Sequence, residues 1–480
     1  MVADALTTAP RGLEAGAKGR FMMLGFERSR AGLALALLLG CAIPFLSSDA
    51  TAVPTAIETG TRLGDVRLFE SEETPKELVF LFSDRDGWND RMGAAATDMA
   101  ARGAAVVGVD LKRYVQALAD SNDQDCHYLD SDIEQLSKQL QSKLGLAQYR
   151  WPILAGIGTG GVLAYGAAAQ APNATIAGAL VVDPASSLDT RLPLCSGAPA
   201  TRLARGSFSY GPMPDMPGWL RVADLHQPSG MPWVEQIPHA KRVAMPAGSD
   251  AAGALVTMLV PMIGFAMPTG QGLDDLPLTE VPAAQSPAAL AVIVSGDGGW
   301  RDIDKQIGQV LAEGDIGVVG LDSLRYFWSA RTPEQVGRDL DRIVAHYQAA
   351  WGVRDVVLVG YSFGADVLPA SYNQMSPATQ SAVVEISLLG LAEEASFEFH
   401  VSGWLGLTSS DSLPIAPEIT KLDVAKVQCF YGEEEDDSLC RNPVLAKAEL
   451  IETGGGHHFD GDYQALARRI IEGYDRRKQG

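Results

Sequence analysis

The sequence has few positively charged residues and few cysteines. Both observations exclude certain kinds of partner or site. Its 480 residues carry 38 Lys and Arg against 59 Asp and Glu, which gives a formal net charge of −21. Because such an acidic surface repels phosphate backbones, nucleic acid is not expected as a partner. The five cysteines include no Cys-x-x-Cys pair, so no metal site is predicted. We expect no cofactor.

The N-terminus lacks an apolar run long enough to span a membrane. Its uncharged, mostly apolar stretch covers residues 31–46 only, whereas a spanning helix needs about 20 such residues. Two arginines precede this stretch and a small-x-small cleavage site follows at residues 48–50, which is the pattern of a secretory signal peptide. We therefore predict that residues 1–50 are a signal peptide, with residues 1–21 as an upstream extension if translation begins after them.

Removal of the signal peptide leaves four cysteines: Cys126, Cys195, Cys429 and Cys440. An even number of cysteines in an exported chain predicts disulfide bonds. The simplest pairing joins Cys126 to Cys195 and Cys429 to Cys440. The alternative is that all four are buried free thiols.

The mature chain contains two halves with similar motifs. Residues 83–90 are similar to residues 295–302, and residues 108–114 are similar to residues 320–326 at the same offset. In each half, apolar strand segments alternate with helix-length segments, which indicates a parallel α/β sheet.

This repeat predicts an α/β protein with two tandem domains, and the nucleophile motif described next identifies them as α/β-hydrolase-like. The first domain is expected at residues 51–267 and the second at residues 289–480. Residues 268–288 contain four prolines and two glycines, a composition typical of a linker.

A nucleophile motif is present in one half and altered in the other. Residues 360–364 read Gly-Tyr-Ser-Phe-Gly and follow the apolar run 356–359. A strand that ends in Gly-x-Ser-x-Gly is the sequence form of a nucleophile elbow, where the tight turn requires small residues around the serine. The first half has Gly158 at the position of Ser362. We therefore predict that Ser362 is a nucleophile and that the first domain is degenerate.

An acyl-transfer site also needs a base and an acid. In this fold the chain order is nucleophile, acid, histidine. The acidic turn after the apolar segment 427–431 supplies the acid, for which Asp436 is our first choice and Glu435 is nearly equal. The glycine-rich loop beyond it supplies the base from His457 or His458. The Gly-His-x-Phe spacing favours His457.

The remaining candidates are expected to bind the substrate. The backbone N–H of Phe363 and the glycine-rich loop that contains Asp297 and Gly298 are the predicted oxyanion donors. The carboxylates of Asp297 and Asp366 are expected to meet a cationic group of the substrate. Three aromatic side chains are expected to line an apolar pocket: Trp300, Tyr326 and Trp328.

Together these segments resemble the VirJ/AcvB family of exported bacterial proteins, and the two-half arrangement resembles its longer, AcvB-type members. The family's elbow serine falls on Ser362, its acidic turn on Glu435 and Asp436, and its histidine segment on His457 and His458. The resemblance implies a periplasmic serine hydrolase that removes the lysyl group from lysyl-phosphatidylglycerol, with links to virulence and acid tolerance. The similar segments are residues 295–302, 322–328, 360–369, 403–406, 431–440 and 454–463.

The resemblance also implies the partners. The expected substrate is an aminoacylated membrane phospholipid, which would bring the periplasmic protein to the inner membrane. The alternative function is a periplasmic binding or chaperone protein for type IV secretion substrates, with a vestigial elbow. Its partners would be secreted proteins or the secretion machinery. The degenerate first half favours this alternative, whereas the complete set of candidate residues in the second half favours the hydrolase.

Overall fold

The computed structural model describes residues 54–203, 206–226, 229–263, 273, 275–399 and 412–479. The predicted signal peptide at residues 1–50 lies outside these ranges, as does segment 403–406 of the family resemblance. Within them, no helix combines the length and the apolar character needed to cross a membrane. We refer to residues 54–263 as the N-terminal region and to residues 275–479 as the C-terminal region.

The N-terminal region surrounds an eight-stranded sheet. The strands of the whole region are β1 (Thr55–Glu58), β2 (Asp65–Phe69), β3 (Glu77–Phe82), β4 (Ala104–Val109), β5 (Ile153–Ile157), β6 (Gly178–Val182), β7 (Ala200–Arg202), β8 (Phe208–Tyr210), β9 (Trp219–Ala223) and β10 (Ala240–Arg242). Its helices are α1 (Asp90–Ala100), α2 (Leu111–Ala119), α3 (Asp130–Lys143), α4 (Thr159–Gln170) and α5 (Ala251–Leu259). The sheet order is β1-β2-β4-β3-β5-β6-β9-β10, and β7 pairs with β8 separately.

The C-terminal region surrounds a seven-stranded sheet. Its strands are β11 (Leu278–Val281), β12 (Ala289–Val294), β13 (Ile316–Leu321), β14 (Asp355–Tyr361), β15 (Val383–Leu389), β16 (Glu394–Ala395), β17 (Leu413–Pro414), β18 (Val427–Gly432) and β19 (Glu449–Thr453). Its helices are α6 (Asp302–Glu313), α7 (Ser323–Tyr326), α8 (Pro333–Trp351), α9 (Phe363–Tyr372), α10 (Pro377–Ala382), α11 (Ala416–Ile419) and α12 (Tyr463–Gln479). The sheet order is β11-β13-β12-β14-β15-β18-β19, and β16 pairs with β17 separately.

The two sheets share one strand order. From β2 onward, the N-terminal order matches the C-terminal order strand for strand. In this shared order the first strand, β2 or β11, is antiparallel to the next, and the following strands run parallel. The N-terminal sheet has one further strand, β1, which pairs antiparallel with β2 at the edge. This arrangement, with a strand-to-helix elbow after the central β5 or β14, is the α/β-hydrolase fold. The predicted fold class is confirmed in both regions.

The central strands are apolar along their whole length because helices cover both faces of each sheet. All six residues of β3 are buried. Leu78 and Phe80 pack with residues of α3 and α4, whereas Val79 and Leu81 pack with residues of α1 and α5. Strand β12 is likewise fully buried between two apolar clusters. The sheets therefore hold their elbows on rigid, doubly covered strands.

One strand lies inside the predicted linker. Strand β11 pairs antiparallel with β13 at the edge of the C-terminal sheet. Pro277 and Pro282 bound it and gave this segment its linker composition. Prolines are tolerated there because an edge strand pairs on one side only. The linker prediction for residues 268–288 is therefore wrong at β11.

Both predicted disulfide bonds are present. Cys126 is bonded to Cys195 in the N-terminal region, and Cys429 is bonded to Cys440 in the C-terminal region. The second bond joins β18 to the segment after the acidic turn, so it closes the loop that contains the candidate acids.

Asp304 is a buried carboxyl group in the first turn of α6. It is 1% exposed and accepts a hydrogen bond from the N–H of Arg301 at 3.4 Å. Burial raises the pKa of Asp304 to about 8; the N–H of Arg301 opposes this rise and the charge of Asp322 adds to it. An unfolded aspartate has a pKa of about 3.9. Between these values the folded protein retains a proton that the unfolded chain has released, so this group lowers stability as the pH rises.

We expect the Asp304→Asn variant to be less sensitive to pH than the wild type. Asparagine keeps the oxygen that accepts from Arg301 but cannot ionise. The pH dependence of the free energy of unfolding should therefore weaken by up to about 1.4 kcal/mol per pH unit between about pH 5 and pH 8. Urea unfolding of both proteins at the two pH values measures this difference. An identical pH dependence in the two proteins would show that Asp304 is ionised in the folded state.

Candidate active site

Ser362 occupies a strained turn between β14 and α9. Its backbone has φ 50° and ψ −121°, in the left-handed half of conformational space that non-glycine residues rarely adopt. The N–H of Ser362 donates to the carbonyl of Leu389 at 2.8 Å. A Cβ at Gly360 would lie 2.6 Å from the carbonyl oxygen of Gly364, and a Cβ at Gly364 would overlap the carbonyl of Val294. The motif therefore needs both glycines because the helix crosses the sheet at backbone contact.

His457 lies over this serine. Its Nε2 is 2.8 Å from Ser362 Oγ, and its Nδ1 is 2.6 Å from Oε1 of Glu435. The imidazole is 43% exposed, whereas the Glu435 side chain is 12% exposed. Gly390 lies beneath the ring, where a Cβ would approach Cε1 of His457 to 2.7 Å. Three side chains that are far apart in the sequence thus form one chain of hydrogen bonds.

The carboxylate that contacts His457 belongs to Glu435 and not to Asp436, the first choice from the sequence. Oε2 of Glu435 accepts the N–H of Gly432 at 2.7 Å, and the Glu435 N–H donates to the Gly432 carbonyl at 3.0 Å. This turn directs Glu435 back toward the sheet. Asp436 is exposed one residue further along. The preference for Asp436 is therefore corrected to Glu435.

Arg441 stabilises this acidic turn, and sequence reasoning missed it. Its Nε donates to the carbonyl of Glu435 at 3.1 Å and its Nη2 to the carbonyl of Glu433 at 3.2 Å. The disulfide bond between Cys429 and Cys440 holds Cys440, the residue before Arg441, next to β18. The sequence signal for this role was that Arg441 directly follows Cys440.

His458 has different contacts. Its Nδ1 lies 3.1 Å from the hydroxyl of Tyr361, and the same hydroxyl lies 3.4 Å from the carbonyl of His457. Tyr361 therefore contacts both residues of the histidine pair from below. Of the two histidines left open by the sequence, His457 is the one that contacts Ser362.

The N-terminal elbow has the same backbone with different side chains. Gly158 has φ 57° and ψ −120° between β5 and α4, close to the values of Ser362. The N–H groups of Thr159 and Arg85 both donate to Oδ1 of Asp84, each at 2.8 Å. A Cβ at Gly158 would overlap this carboxylate. Asp84 thus fills the space that a serine side chain and an oxyanion would occupy.

The N-terminal region has an aspartate at the position of Gly390, the residue beneath His457. Asp183 follows β6 as Gly390 follows β15, and it has a φ of 44°. Its carboxylate accepts the N–H groups of Leu225 at 2.6 Å and of His226 at 2.9 Å, and it lies 2.8 Å from Nδ1 of His226. The N-terminal region therefore differs from the C-terminal region both at the nucleophile, where Gly158 replaces Ser362, and at the position of Gly390.

Asp84 identifies the corresponding amide groups of the C-terminal region. Thr159 follows Gly158 as Phe363 follows Ser362, and Arg85 stands where Asp297 stands in the repeat. By this correspondence, the N–H groups of Phe363 and Asp297 are the candidate oxyanion donors of the C-terminal region. Gly298, the third predicted donor, instead lies against the side chain of Arg301, whose Cδ would be 3.2 Å from an added Cβ.

Asp366 and Asp297 form an acidic pair near Ser362. Asp366 is partly buried in the first turn of α9, where its carboxylate accepts the N–H of Ala392 at 2.8 Å. Burial raises the pKa of Asp366 to about 8, the N–H of Ala392 opposes this rise, and the negative charge of Asp297 adds to it. The structure thus brings these two predicted residues within electrostatic reach of each other.

Two predicted pocket aromatics belong to the protein core. Trp300 is 5% exposed and packs across Gly320, where an added Cβ would overlap its ring. Tyr326 is 1% exposed, and its hydroxyl donates to Asp339 at 2.6 Å. Aromatic rings that find polar partners for their N–H or O–H groups are readily buried. The prediction that Trp300 and Tyr326 line a pocket is therefore wrong.

Trp328 contacts the N-terminal region. It is 8% exposed, its Nε1 donates to the carbonyl of Leu146 at 2.9 Å, and its ring centroid lies 5.0 Å from that of Tyr149. The pocket prediction for Trp328 is wrong as well. The aromatic side chains that are partly exposed beside the elbow are Phe363 and Phe397.

This geometry has the parts of a serine nucleophile site. Ser362, His457 and Glu435 form a hydrogen-bonded chain at a strand-to-helix elbow, and the N–H groups of Phe363 and Asp297 are the candidate oxyanion donors. Among the described residues, no group of three His, Cys, Asp or Glu side chains is placed to hold a metal ion. The arrangement is that of the α/β-hydrolase fold.

Comparison with protein families finds a match over the C-terminal region. Residues 288–478 match the family described as "Bacterial virulence protein (VirJ)". This part of the chain contains the whole candidate site. The family resemblance drawn from the sequence is confirmed there.

Solved structures with a similar fold include three from bacteria. Est1E from Butyrivibrio proteoclasticus with bound ferulic acid is 13% identical, with 43% of this chain and 96% of that chain covered and a TM-score of 0.33. MenH from S. aureus is 12% identical, with 42% and 98% covered and a TM-score of 0.32. A lipase-esterase related protein from Clostridium acetobutylicum is 12% identical, with 41% and 98% covered and a TM-score of 0.31. No curated protein matches the chain.

We expect Gly158→Ser to destabilise the protein and Asp84→Gly to relieve that cost. A serine at position 158 would overlap the Asp84 carboxylate, and such overpacking costs about 1–3 kcal/mol. Glycine at position 84 recreates the Gly296 of the C-terminal region. Urea unfolding of both single variants and the double variant measures the coupling. Strictly additive costs would contradict the proposed overlap.

Proposed function

We propose that the protein is a serine hydrolase that cleaves the aminoacyl ester of lysyl-phosphatidylglycerol. The observation that carries the proposal is the hydrogen-bonded chain from Ser362 through His457 to Glu435 at the elbow. A nucleophile, a base and an orienting carboxylate in this order are the requirements for covalent acyl transfer.

In the first step, His457 accepts the proton of the Ser362 hydroxyl while Oγ attacks the ester carbonyl carbon. Glu435 accepts the hydrogen bond from the other imidazole nitrogen and stabilises the imidazolium that forms. The N–H groups of Phe363 and Asp297 donate to the oxyanion of the tetrahedral intermediate. Donors of this kind each contribute about 10²–10³-fold to the rate of acyl transfer.

Collapse of the intermediate completes the reaction. The C–O bond to the glycerol headgroup breaks, the leaving oxygen takes the proton from His457, and lysine remains esterified to Ser362. Water then attacks this ester with His457 as the base. The products are free lysine, phosphatidylglycerol and the regenerated enzyme.

The substrate class is supported by the charges and apolar side chains around Ser362. Asp366 and Asp297 are carboxylates beside the nucleophile, and a lysyl ammonium group placed between them would favour the ionised form of Asp366. The partly exposed rings of Phe363 and Phe397 offer apolar surface, with Phe327 packed beneath both at centroid distances of 4.9 and 6.2 Å. An aminoacyl phospholipid combines an ester, a cation and apolar chains.

The proposal places the mature protein in the periplasm, at the surface of the inner membrane that contains its substrate. Disulfide bonds form and persist in oxidising compartments of this kind, and both pairs of cysteines are bonded. The name of the VirJ family supports a role in virulence.

We expect residues 51–480 to release lysine from vesicles that contain lysyl-phosphatidylglycerol, and Ser362→Ala to lower the rate by about 10⁴-fold or more. Free lysine is measured directly, with circular dichroism as a control for folding. Vesicles with alanyl-phosphatidylglycerol test whether the cationic side chain matters. A folded wild-type protein that hydrolyses neither lipid would refute the proposed substrate.

The alternative role as a binding or chaperone protein predicts a different result. In that case Ser362→Ala would retain every cellular phenotype of the wild type, because binding does not need a nucleophile. Complementation of a deletion strain with the two forms distinguishes the roles.

We expect substitutions of the two residues in each candidate pair to have very different effects on the activity of the enzyme. Glu435→Gln should lower kcat by about 10³–10⁴-fold because the imidazolium loses its carboxylate. Asp436→Asn is the matched control and should stay within about twofold, since surface substitutions of this kind are nearly neutral. His457→Gln should behave like Ser362→Ala, whereas His458→Gln should keep most of the activity. Equal losses for Glu435 and Asp436 variants would contradict the assignment.

A further inference from the structure

The loop that contributes one oxyanion N–H ends at Arg301. This loop, residues 296–301, leads from β12 into α6, and Arg301 is the residue that caps the helix. The Arg301 side chain turns back over the loop, because a Cβ added to Gly298 would lie 3.2 Å from its Cδ and Nε. The position of Arg301 is therefore coupled to that of the Asp297 N–H.

The partner of Arg301 comes from the N-terminal region. Its Nη2 is ion-paired with Oε1 of Glu134 in α3. The side chains of Glu134 and Arg301 are only 8% and 25% exposed. Burial alone lowers the pKa of Arg301, but the carboxylates of Glu134 and Asp130 raise it above its ordinary value. Removal of one partner from such a buried pair is strongly destabilising because it leaves an uncompensated charge.

A second charge of α3 lies near the same loop. Lys138, one turn after Glu134, is 2% exposed, and its Nζ is 2.8 Å from Oε1 of Glu134. Burial lowers the pKa of Lys138, while the negative charges of Glu134 and Asp297 oppose that shift. Helix α3 thus places the anion Glu134 against Arg301 of the loop. It also places the cation Lys138 within electrostatic reach of Asp297, the anion of the same loop.

The chain after α3 anchors the helix against the C-terminal region. The carbonyl of Leu146 accepts from Nε1 of Trp328 at 2.9 Å, and the carbonyl of Ala147 accepts from Oγ of Ser329 at 2.8 Å. Tyr149 packs on the ring of Trp328. These contacts lie in a segment separate from the ion pair, so α3 has support on the C-terminal region at both places.

We propose that Glu134 of the N-terminal region is a positioning residue for the C-terminal active site. Through Arg301 it holds residues 296–301 so that the Asp297 N–H faces the oxyanion. This inference rests on the proposed hydrolase function. It gives the degenerate N-terminal region a part in the reaction of the C-terminal region. Asp84 blocks the N-terminal elbow, whereas α3 of the same region supports the loop of the active one.

The test compares Glu134→Gln with Asp132→Asn in the full-length mature chain. Asp132 is a matched control because it lies on the same helix, is equally buried at 7%, and pairs with Arg62 at 2.9 Å within its own region. The first readout is the rate at which a fluorophosphonate probe modifies Ser362, a reaction that needs the nucleophile and the oxyanion donors. The second is hydrogen exchange of the backbone amides in residues 295–302.

We expect Glu134→Gln to slow probe labelling by about tenfold or more, since loss of one oxyanion donor costs about 10²–10³-fold. It should lower kcat on the lipid substrate more than it changes KM, and it should speed exchange of the loop amides. Asp132→Asn should leave all three unchanged even if it lowers stability.

Labelling of Glu134→Gln at the wild-type rate would overturn the positioning role and leave the hydrolase proposal intact. Failure of the probe to label the wild type would refute the hydrolase proposal instead. In that case hydrogen exchange decides alone: faster exchange of residues 295–302 in Glu134→Gln, but not in Asp132→Asn, supports the contact, and equal exchange in both refutes it.

Discussion

Backbone contact between a central strand and the helix that follows it is the constraint on which both regions depend. At Gly360 and Gly364 no Cβ fits, so the helix lies close enough to the sheet to force the residue between them into a positive φ. The N-terminal region meets the same constraint, and Gly158 has nearly the backbone angles of Ser362. The elbow therefore survives where its nucleophile does not, because its geometry belongs to the packing of the fold.

The same turn creates two N–H groups that require a negative partner. In the N-terminal region the carboxylate of Asp84 is that partner, and a Cβ at position 158 would overlap it. In the C-terminal region Gly296 stands at the equivalent position and has no side chain, so the charge can come from a substrate. The N-terminal region thus has Asp84 where the C-terminal region has Gly296, and Gly158 where it has Ser362. These two differences are sterically linked, and together they account for the degenerate elbow.

The sequence predicted what depends on local patterns. The alternation of strand and helix segments indicated the α/β class, and the Gly-x-Ser-x-Gly motif predicted the turn at Ser362 between β14 and α9 as observed. It did not separate Glu435 from Asp436, because the backbone N–H of Gly432 decides between two adjacent acids and only the folded turn reveals it. It misassigned Trp328 because a buried partner in the other region cannot be inferred from a local run of aromatics.

A buried ion pair between regions makes the degenerate region hard to discard. The ion-pair partner of Arg301 is Glu134 of the other region, and loss of Glu134 leaves the charge of Arg301 in a poorly solvated place. Arg301 also closes the loop that provides an oxyanion N–H. A region can therefore lose its own chemistry and still constrain the chemistry of its neighbour, since electrostatic compensation ties its fold to the geometry of the active loop.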